Sequence, residues 1–273
     1  MNSEQLRLFA RELRLESLRM AHQCGNNGSH LGPAMSAIEI IATLYGAVMN
    51  CSPDNALDPN RDRLVISKGH CVLAYYSALR MKGFITQKDQ DSFETDGSHF
   101  HGHALRNLSN GIEFSGGSLS MGMSFAVGQA LACKKKGYTG RVFTLVGDGE
   151  CAEGLIWEAA MAAAHYGLDN LTIIIDRNQL QYDGYTHEVM NNSPLEEKFR
   201  SFGLEVETVD GHDCAKLYDA FIKKSDTPRC VIANTVKGKG VSFMELNKEW
   251  HHHTLNAEQY EQAVKEVTSS CLN

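Results

Sequence analysis

One strand–helix–strand stretch near the middle of the chain constrains the fold most. An apolar, β-rich run from Val142 to Val146 stops at Gly147-Asp148-Gly149, and an Ala-rich segment predicted to be a helix follows. A second apolar run, Leu171 to Ile175, ends in Asp-x-Asn with Asn178. Parallel strands joined by a crossover helix place both carboxyl ends on one sheet edge, where open α/β sheets bind ligands. We therefore expect Asp148 and Asn178 to meet in space.

The side chains at these two strand ends favour a hard cation. A carboxylate, an amide oxygen and a nearby backbone carbonyl suit Mg²⁺ or Ca²⁺, which take oxygen ligands, better than zinc. Glycines let the backbone approach an anion closely, and the N-terminus of the following helix adds N–H groups. The pattern predicts a metal-bridged diphosphate. The alternative is a tight strand-to-helix turn with a solvated Asp148, and the Asp-x-Asn of the second strand favours the metal site.

Length and composition limit the class of protein. With 273 residues the chain can bury a large core, and its order of strands and helices predicts one three-layer α/β domain over residues 1–273 with a mainly parallel sheet. A net charge of -7 argues against a mainly electrostatic nucleic-acid binder. The polar N-terminus lacks a signal-peptide core, and no apolar run would span a bilayer. We expect a cytoplasmic protein with no membrane or nucleic-acid partner.

Cysteines and alternating histidines give weaker metal-site signals. The 8 cysteines are scattered and form no C-x-x-C pair, which predicts reduced structural thiols. His99, His101 and His103 alternate in a long polar segment with no cysteine nearby. Three histidines so close in sequence seldom reach one ion at good angles, so we interpret them as substrate or cofactor contacts in preference to a zinc site.

Two further histidines occupy equivalent positions before helices. His30 follows a glycine-rich breaker cluster and precedes an apolar helix predicted from about Ser36 to Val48. His70 follows the short predicted strand Leu64 to Ile66 and precedes a predicted helix. The repeated position favours ligand contacts. A loop of glycines and small residues, Ser115 to Gly122, is either a backbone-lined ligand wall or a close helix-packing site.

These motifs together resemble a known family. Gly147-Asp148-Gly149 followed by Asn178 resembles the thiamine-diphosphate-binding motif. The chain resembles the transketolase pattern in order and approximate spacing at Ser29-His30-Leu31-Gly32-Pro33, Ser67-Lys68-Gly69-His70, Gly102-His103, Ser118-Leu119-Ser120-Met121-Gly122, Asp210-Gly211-His212-Asp213 and Lys237-Gly238-Lys239-Gly240. The resemblance runs from about His22 to His251. It implies the thiamine-diphosphate-binding fold and transfer of a two-carbon ketol unit from a ketose or its phosphate to an aldose or its phosphate.

The resemblance also implies roles for matching positions. The metal, Mg²⁺ with Ca²⁺ or Mn²⁺ as possible substitutes, would be held by Asp148, Asn178 and the backbone carbonyl of Leu180. Thiamine diphosphate would be bound by His70, Gly117, Ser118, Leu119, Gly147, Asp148, Gly149, Asn178, Tyr182 and His251. The catalytic positions would be His30 and His103, which move protons at the ketose hydroxyls, and Glu153, which joins a carboxylate network between paired cofactor sites.

The chain departs from the family pattern in two loops and in length. The usual Gly-Pro-Leu-Gly-Gln-Gly is Gly-Ser-Leu-Ser-Met-Gly here, and Gly102-His103 is followed by Ala104-Leu105 in place of a proline and an acidic residue. Both departures concern substrate contacts more than cofactor binding. Single-chain members continue into a domain with the Glu that protonates the cofactor's aminopyrimidine.

The resemblance is therefore to the N-terminal subunit of a split transketolase. We expect no turnover from this chain alone and a C-terminal partner subunit that carries the pyrimidine-binding domain, in an α₂β₂ heterotetramer of carbohydrate metabolism. The alternatives are a subunit of a 1-deoxyxylulose-phosphate-synthase-like or dehydrogenase-E1-like enzyme, and a non-catalytic cofactor-binding module. The histidine set disfavours the first two, and the joint presence of Asp148, Asn178 and the histidines disfavours the third.

Overall fold

The computed structural model describes residues 1–269, and its centre is a five-stranded sheet. The strands are β1 (Arg63–Ile66), β2 (Val142–Gly147), β3 (Leu171–Arg177), β4 (Glu205–Asp210) and β5 (Arg229–Asn234). Their order across the sheet is β1-β2-β3-β5-β4, and every neighbouring pair is parallel. The predicted α/β fold with a mainly parallel sheet is confirmed.

Helices cover both faces of this sheet. They are α1 (Ser3–Gln23), α2 (Leu31–Ser36), α3 (Ile38–Thr43), α4 (Val72–Met81), α5 (Gln87–Asp91), α6 (Met121–Lys136), α7 (Gly154–His165), α8 (Thr186–Val189), α9 (Leu195–Ser201), α10 (Cys214–Ile222) and α11 (Ala257–Ser269). Within residues 1–269, no helix has the length and apolarity needed to cross a bilayer.

The alternation of side chains along the strands builds two separate cores. In β2, Phe143 and Leu145 join a core with the N-terminal helices, whereas Val142 and Val146 join a second core with α6 and α7. Successive strand residues point to opposite faces, so a continuous apolar run is what a strand buried on both faces requires. The three layers follow from this arrangement.

The predicted single helix from Ser36 to Val48 is wrong in its bounds. The helical segment begins at Leu31, is interrupted at Ala37 and ends in a π-helical turn, Leu44–Val48. The hydroxyl of Ser36 donates to the carboxylate of Asp176 at 2.6 Å. This contact ties the end of α2 to the end of β3, directly before the break at Ala37.

Strand register brings the two central motifs together. Gly147 at the end of β2 pairs with Asp176 of β3. The backbone N–H of Asp148 donates to the Asp176 carbonyl at 3.2 Å, and the Asp148 carboxylate accepts from the N–H of Gln179 at 2.7 Å. The segment after β2 and the segment after β3 are therefore adjacent at the carboxyl edge of the sheet, as predicted.

Candidate active site

A cavity of about 410 Å³ opens at the carboxyl edge of the sheet. Nearly all the predicted site residues line it, from segments that lie far apart in sequence: His30, His70, His103, Gly117, Leu119, Gly147, Asp148, Gly149, Glu153, Asn178, Leu180, Tyr182 and His251. Ser118 is exposed and is not among the lining residues. Gly117 and Leu119 on either side of it do line the cavity, so the Ser115 to Gly122 loop forms part of its wall.

The metal end of the cavity holds only oxygen groups as candidate ligands. The Asp148 carboxylate is buried and accepts from the N–H groups of Gly149 at 2.8 Å and Gln179 at 2.7 Å. The Asn178 amide oxygen accepts from the Leu180 N–H at 3.1 Å. Burial, with Asp176 nearby, raises the pKa of Asp148 to about 6. Within residues 1–269, no cluster of three His, Cys, Asp or Glu side chains suits a metal ion.

An ion pair that the sequence did not predict lies under the cavity. The Lys68 ammonium donates to the Asp176 carboxylate, and both side chains are buried. Asp176 also accepts from the hydroxyls of Ser36 and Thr235. Burial raises the pKa of Asp176, but the contacts to Lys68 and the hydroxyl donors outweigh it and lower the pKa below its usual value. Lys68 belongs to one of the family motifs, but nothing in the sequence indicated a buried partner 108 positions away.

Four histidines line the cavity, and a fifth, His252, lies beside them. The ring centroid of His30 lies 5.9 Å from that of His70, 5.4 Å from His103, 5.6 Å from His251 and 4.6 Å from His252. His252 was not predicted as a site residue; its position next to His251 was the available signal. The predicted histidines, which come from four distant segments, do converge.

Burial and neighbouring groups lower the pKa values of the four histidines that line the cavity. Desolvation, with neighbouring His252, His103 and Lys237, lowers the pKa of His30 to about 3. Desolvation and Lys237 lower the pKa of His251 to about 2. Burial also lowers the pKa of His103, against an opposing effect of Glu94. A neutral imidazole has one donor and one acceptor nitrogen, so each ring can donate a hydrogen bond to an anion and accept one from a hydroxyl.

Lys237, which also belongs to one of the family motifs, orients one of these rings. Its buried ammonium lies 2.8 Å from Nδ1 of His251 and donates to the Leu180 carbonyl at 2.9 Å. Burial and the nearby Lys68 lower the pKa of Lys237 to about 7. When Lys237 is protonated it has donors only, so Nδ1 of His251 then accepts and Nε2 carries the proton. The Tyr182 ring packs edge-on against His251 with centroids 5.2 Å apart. The contact places an aromatic side chain next to a ring N–H donor.

The residues present fit thiamine diphosphate with a divalent cation. A carboxylate, an amide oxygen and a backbone carbonyl are the ligands that Mg²⁺ takes in proteins, where phosphates and water complete the octahedron. A Cβ at Gly149 would come within 2.6 Å of the Gln181 side chain, so any larger residue would push Gln181 out of the cavity wall. The buried Asp148 carboxylate has no direct ion-pair partner in the described chain, because Lys68 is paired with Asp176. A cation would complete the charge balance there.

Comparison with known proteins gives this fold and site a family. The model described as the transketolase thiamine diphosphate binding domain matches residues 8–269. The chain therefore belongs to the transketolase family, as a thiamine diphosphate binding domain. A solved transketolase from Campylobacter jejuni superposes with a TM-score of 0.91 at 29% identity, covering 98% of this chain and 43% of that one. The chain thus spans less than half the length of that transketolase.

Relatives of similar length are transketolase subunits. The chain is 39% identical over 242 residues to an apulose-4-phosphate transketolase subunit of Actinobacillus succinogenes, covering 88% of each protein. It is 39% identical over 241 residues to 6-deoxy-6-sulfo-D-fructose transketolase subunit SqwG of a Clostridium species, covering 87% of this chain and 88% of that subunit. The expected resemblance to the N-terminal subunit of a split transketolase is confirmed.

Proposed function

We propose that this chain is the diphosphate-binding half of a two-subunit transketolase, which transfers a two-carbon ketol unit from a ketose or its phosphate to an aldose or its phosphate. One observation carries the proposal. The oxygen groups of Asp148, Asn178 and Leu180 line the same cavity as His30, His70, His103 and His251. A cation–diphosphate site and a cluster of neutral proton-transfer groups thus face one space.

The metal end would hold Mg²⁺ through Asp148, Asn178 and the Leu180 carbonyl. The diphosphate would accept hydrogen bonds from ring N–H groups of His70 and His251. It would also accept from the Gly149 N–H, which donates to Asp148 in the structure and would have to turn to the diphosphate. Preorganised donors in a water-poor site stabilise such charge strongly. The Lys237 ammonium, close to His251 and to the Leu180 carbonyl, adds positive charge at this end.

The reacting end would use His30 and His103. Breaking or forming the bond between the ketol unit and the aldose requires a proton to leave or reach a sugar hydroxyl, which a positioned neutral imidazole can exchange. Thiamine diphosphate, when bound, supplies the carbanion chemistry. Leu119 and Tyr182 would flank the cofactor rings, and Glu153, at the cavity mouth, would join a carboxylate network with a second copy of the site.

We further propose a C-terminal partner subunit that supplies the pyrimidine-binding domain, in an α₂β₂ assembly. The names of the relatives, which are subunits of transketolases, support a partner. Large apolar side chains next to the cavity are exposed, among them Leu119, Met121 and Leu155, and exposed apolar patches mark protein contacts. A cytoplasmic location is supported by the described cysteines, all free and buried, as in reducing compartments.

The deciding experiment compares the purified chain with its complex with a C-terminal subunit. Both are assayed with thiamine diphosphate, MgCl₂ and a ketose–aldose panel that includes sugar phosphates. We expect turnover only from the complex, together with saturable cofactor binding by the chain alone. Robust turnover by the isolated chain would refute the partner requirement. An inactive complex whose chain still binds the cofactor would favour a non-catalytic module.

A further inference from the structure

A second cavity adjoins the candidate active site. This side chamber, of about 360 Å³, is lined by Ser29, His30, Glu94, His101, His103 and His252, among others. His30 and His103 line both spaces, so they form the shared wall. Asp148 and Asn178 line only the first cavity. The chamber therefore lies beyond the two proton-transfer histidines as seen from the metal end.

One residue that lines the chamber carries a buried hydroxyl without a partner. Ser29 is 3% exposed, and its Oγ makes no hydrogen bond to any part of the chain that the structure describes. Its backbone is fully used, since its N–H donates to His253 at 3.0 Å and its carbonyl accepts from His253 at 3.1 Å. A buried hydroxyl without a hydrogen bond is unfavourable and calls for a polar ligand.

A carboxylate in the chamber is held in a fixed position. Glu94 adopts φ 55, in the left-handed region that is rare for residues other than glycine. Its N–H donates to the Phe100 carbonyl at 3.0 Å, and its Oε1 accepts from the N–H of Gly102. This loop holds the carboxylate beside His103, on the same chamber wall. Residues in strained backbone conformations often serve function.

The chemistry of the chamber selects uncharged hydroxyls. A carboxylate accepts hydrogen bonds from sugar hydroxyls, and a serine hydroxyl or a neutral imidazole either donates or accepts. The lining residues include no lysine or arginine, whereas anion sites rely on them. Glu94 would repel a phosphate placed there. His101 and His252 add further polar groups to the lining.

We propose that this side chamber binds the hydroxyl-bearing, uncharged carbons of the aldose part of the sugar, with Ser29 and Glu94 as specificity-determining residues. The inference rests on the proposed function, and it assigns the anionic end of any substrate to a position outside the chamber. In a transfer reaction the leaving aldose and the incoming aldose occupy the same place, so the chamber would contact the donor and the acceptor alike.

The first test is kinetic and uses the complex with the C-terminal subunit. Ser29→Ala and Glu94→Gln are compared with the wild type at one donor, using ribose and the two-carbon glycolaldehyde as acceptors. We expect kcat/KM for ribose to fall about tenfold in each variant, the usual effect of losing one such hydrogen bond, and that for glycolaldehyde to stay within about twofold. Equal losses for both acceptors, or no loss, would overturn the proposal.

The second test does not depend on turnover. The ¹⁵N-labelled chain is titrated with erythritol, and amide shifts are followed, with inorganic phosphate as the anionic probe and the exposed Glu258→Gln as control variant. We expect erythritol to shift the amide resonances of Gly28 and Gly102. The affinity read from these shifts should be at least about fivefold weaker in Ser29→Ala and Glu94→Gln. Phosphate should not shift them. Erythritol shifts located elsewhere, or the same shifts with phosphate, would contradict the chamber assignment even if the complex proves inactive.

Discussion

The backbone N–H of Ser120 donates to the carboxylate of Glu150 at 2.6 Å, and Ser120 adopts φ 71 to make this bond. Glu150 also accepts from the hydroxyl of Ser67 at 2.5 Å and from the N–H of Gly147 at 2.9 Å. One buried carboxylate thus joins the loop after β1, the loop before α6 and the end of β2. All three segments border the candidate active site.

The strain at Ser120 gives the first prediction. A left-handed conformation costs a serine about 1 kcal/mol that glycine does not lose, and the bond to Glu150 uses only the backbone. Ser120→Gly should therefore raise the free energy of unfolding by about 0.5 kcal/mol, after the greater chain entropy of glycine is subtracted. Chemical denaturation measures this. Ser118→Gly, at a position without positive φ, should be neutral or destabilising; a destabilised Ser120→Gly would contradict the interpretation.

A buried ion pair away from the cavity predicts acid sensitivity. The Glu39 carboxylate contacts Arg14 at 2.7 Å and His212 at 2.9 Å. Burial raises the pKa of Glu39, but the two partners outweigh it and lower the pKa from 4.5 to about 2. A lowered carboxyl pKa stabilises the fold above the unfolded value, and this stabilisation is lost as pH falls from about 4.5 to 2.

Glu39→Gln should therefore cost about 3 kcal/mol at pH 7, and the difference from the wild type should shrink below pH 4.5. Urea unfolding at several pH values measures both quantities. Asp169→Asn, which removes a half-exposed partner of Lys134, should cost less than about 1 kcal/mol at any pH. A Glu39→Gln deficit that stays constant down to pH 3 would count against the linkage.

Removing the Asp148 carboxylate at the metal end should abolish cofactor binding. Asp148→Ala deletes the only candidate ligand with a negative charge, so saturable, Mg²⁺-dependent binding of thiamine diphosphate should disappear in calorimetric titrations. Asp183→Ala, another carboxylate lining the same cavity, should bind within about threefold of the wild type. Retained Mg²⁺-dependent binding by Asp148→Ala would refute the assignment of the metal site.

At the reacting end, removing a proton-transfer histidine should lower turnover and leave cofactor binding almost unchanged. His103→Ala should lower the turnover of the two-subunit complex by about 10² to 10⁴-fold, the usual contribution of an acid–base group, and change cofactor affinity little. His99→Ala, from the same polar segment but exposed, should leave both unchanged. Equal effects of His103→Ala on turnover and on cofactor affinity would assign this residue to cofactor binding.

The sequence predicted the convergence of Asp148 and Asn178 because parallel strands leave no choice about where their ends lie. It did not predict the pairing of Lys68 with Asp176 or of Lys237 with His251. Both contacts join segments whose side-chain directions depend on how the whole sheet edge packs. The side chamber was missed for a similar reason, since Ser29 and Glu94 line one space only through the conformations of two loops.

The carboxylate of Asp176 has a consequence for how the site is assembled. It receives bonds from Ser36, Lys68 and Thr235, which stand at the ends of α2, β1 and β5. The same contacts therefore close the floor of the cavity and complete the core. The backbone amide protons of the segments that form this floor should exchange with solvent only through global unfolding. Folding itself shapes the surface that a cofactor or a partner meets, and binding then selects a structure that already exists.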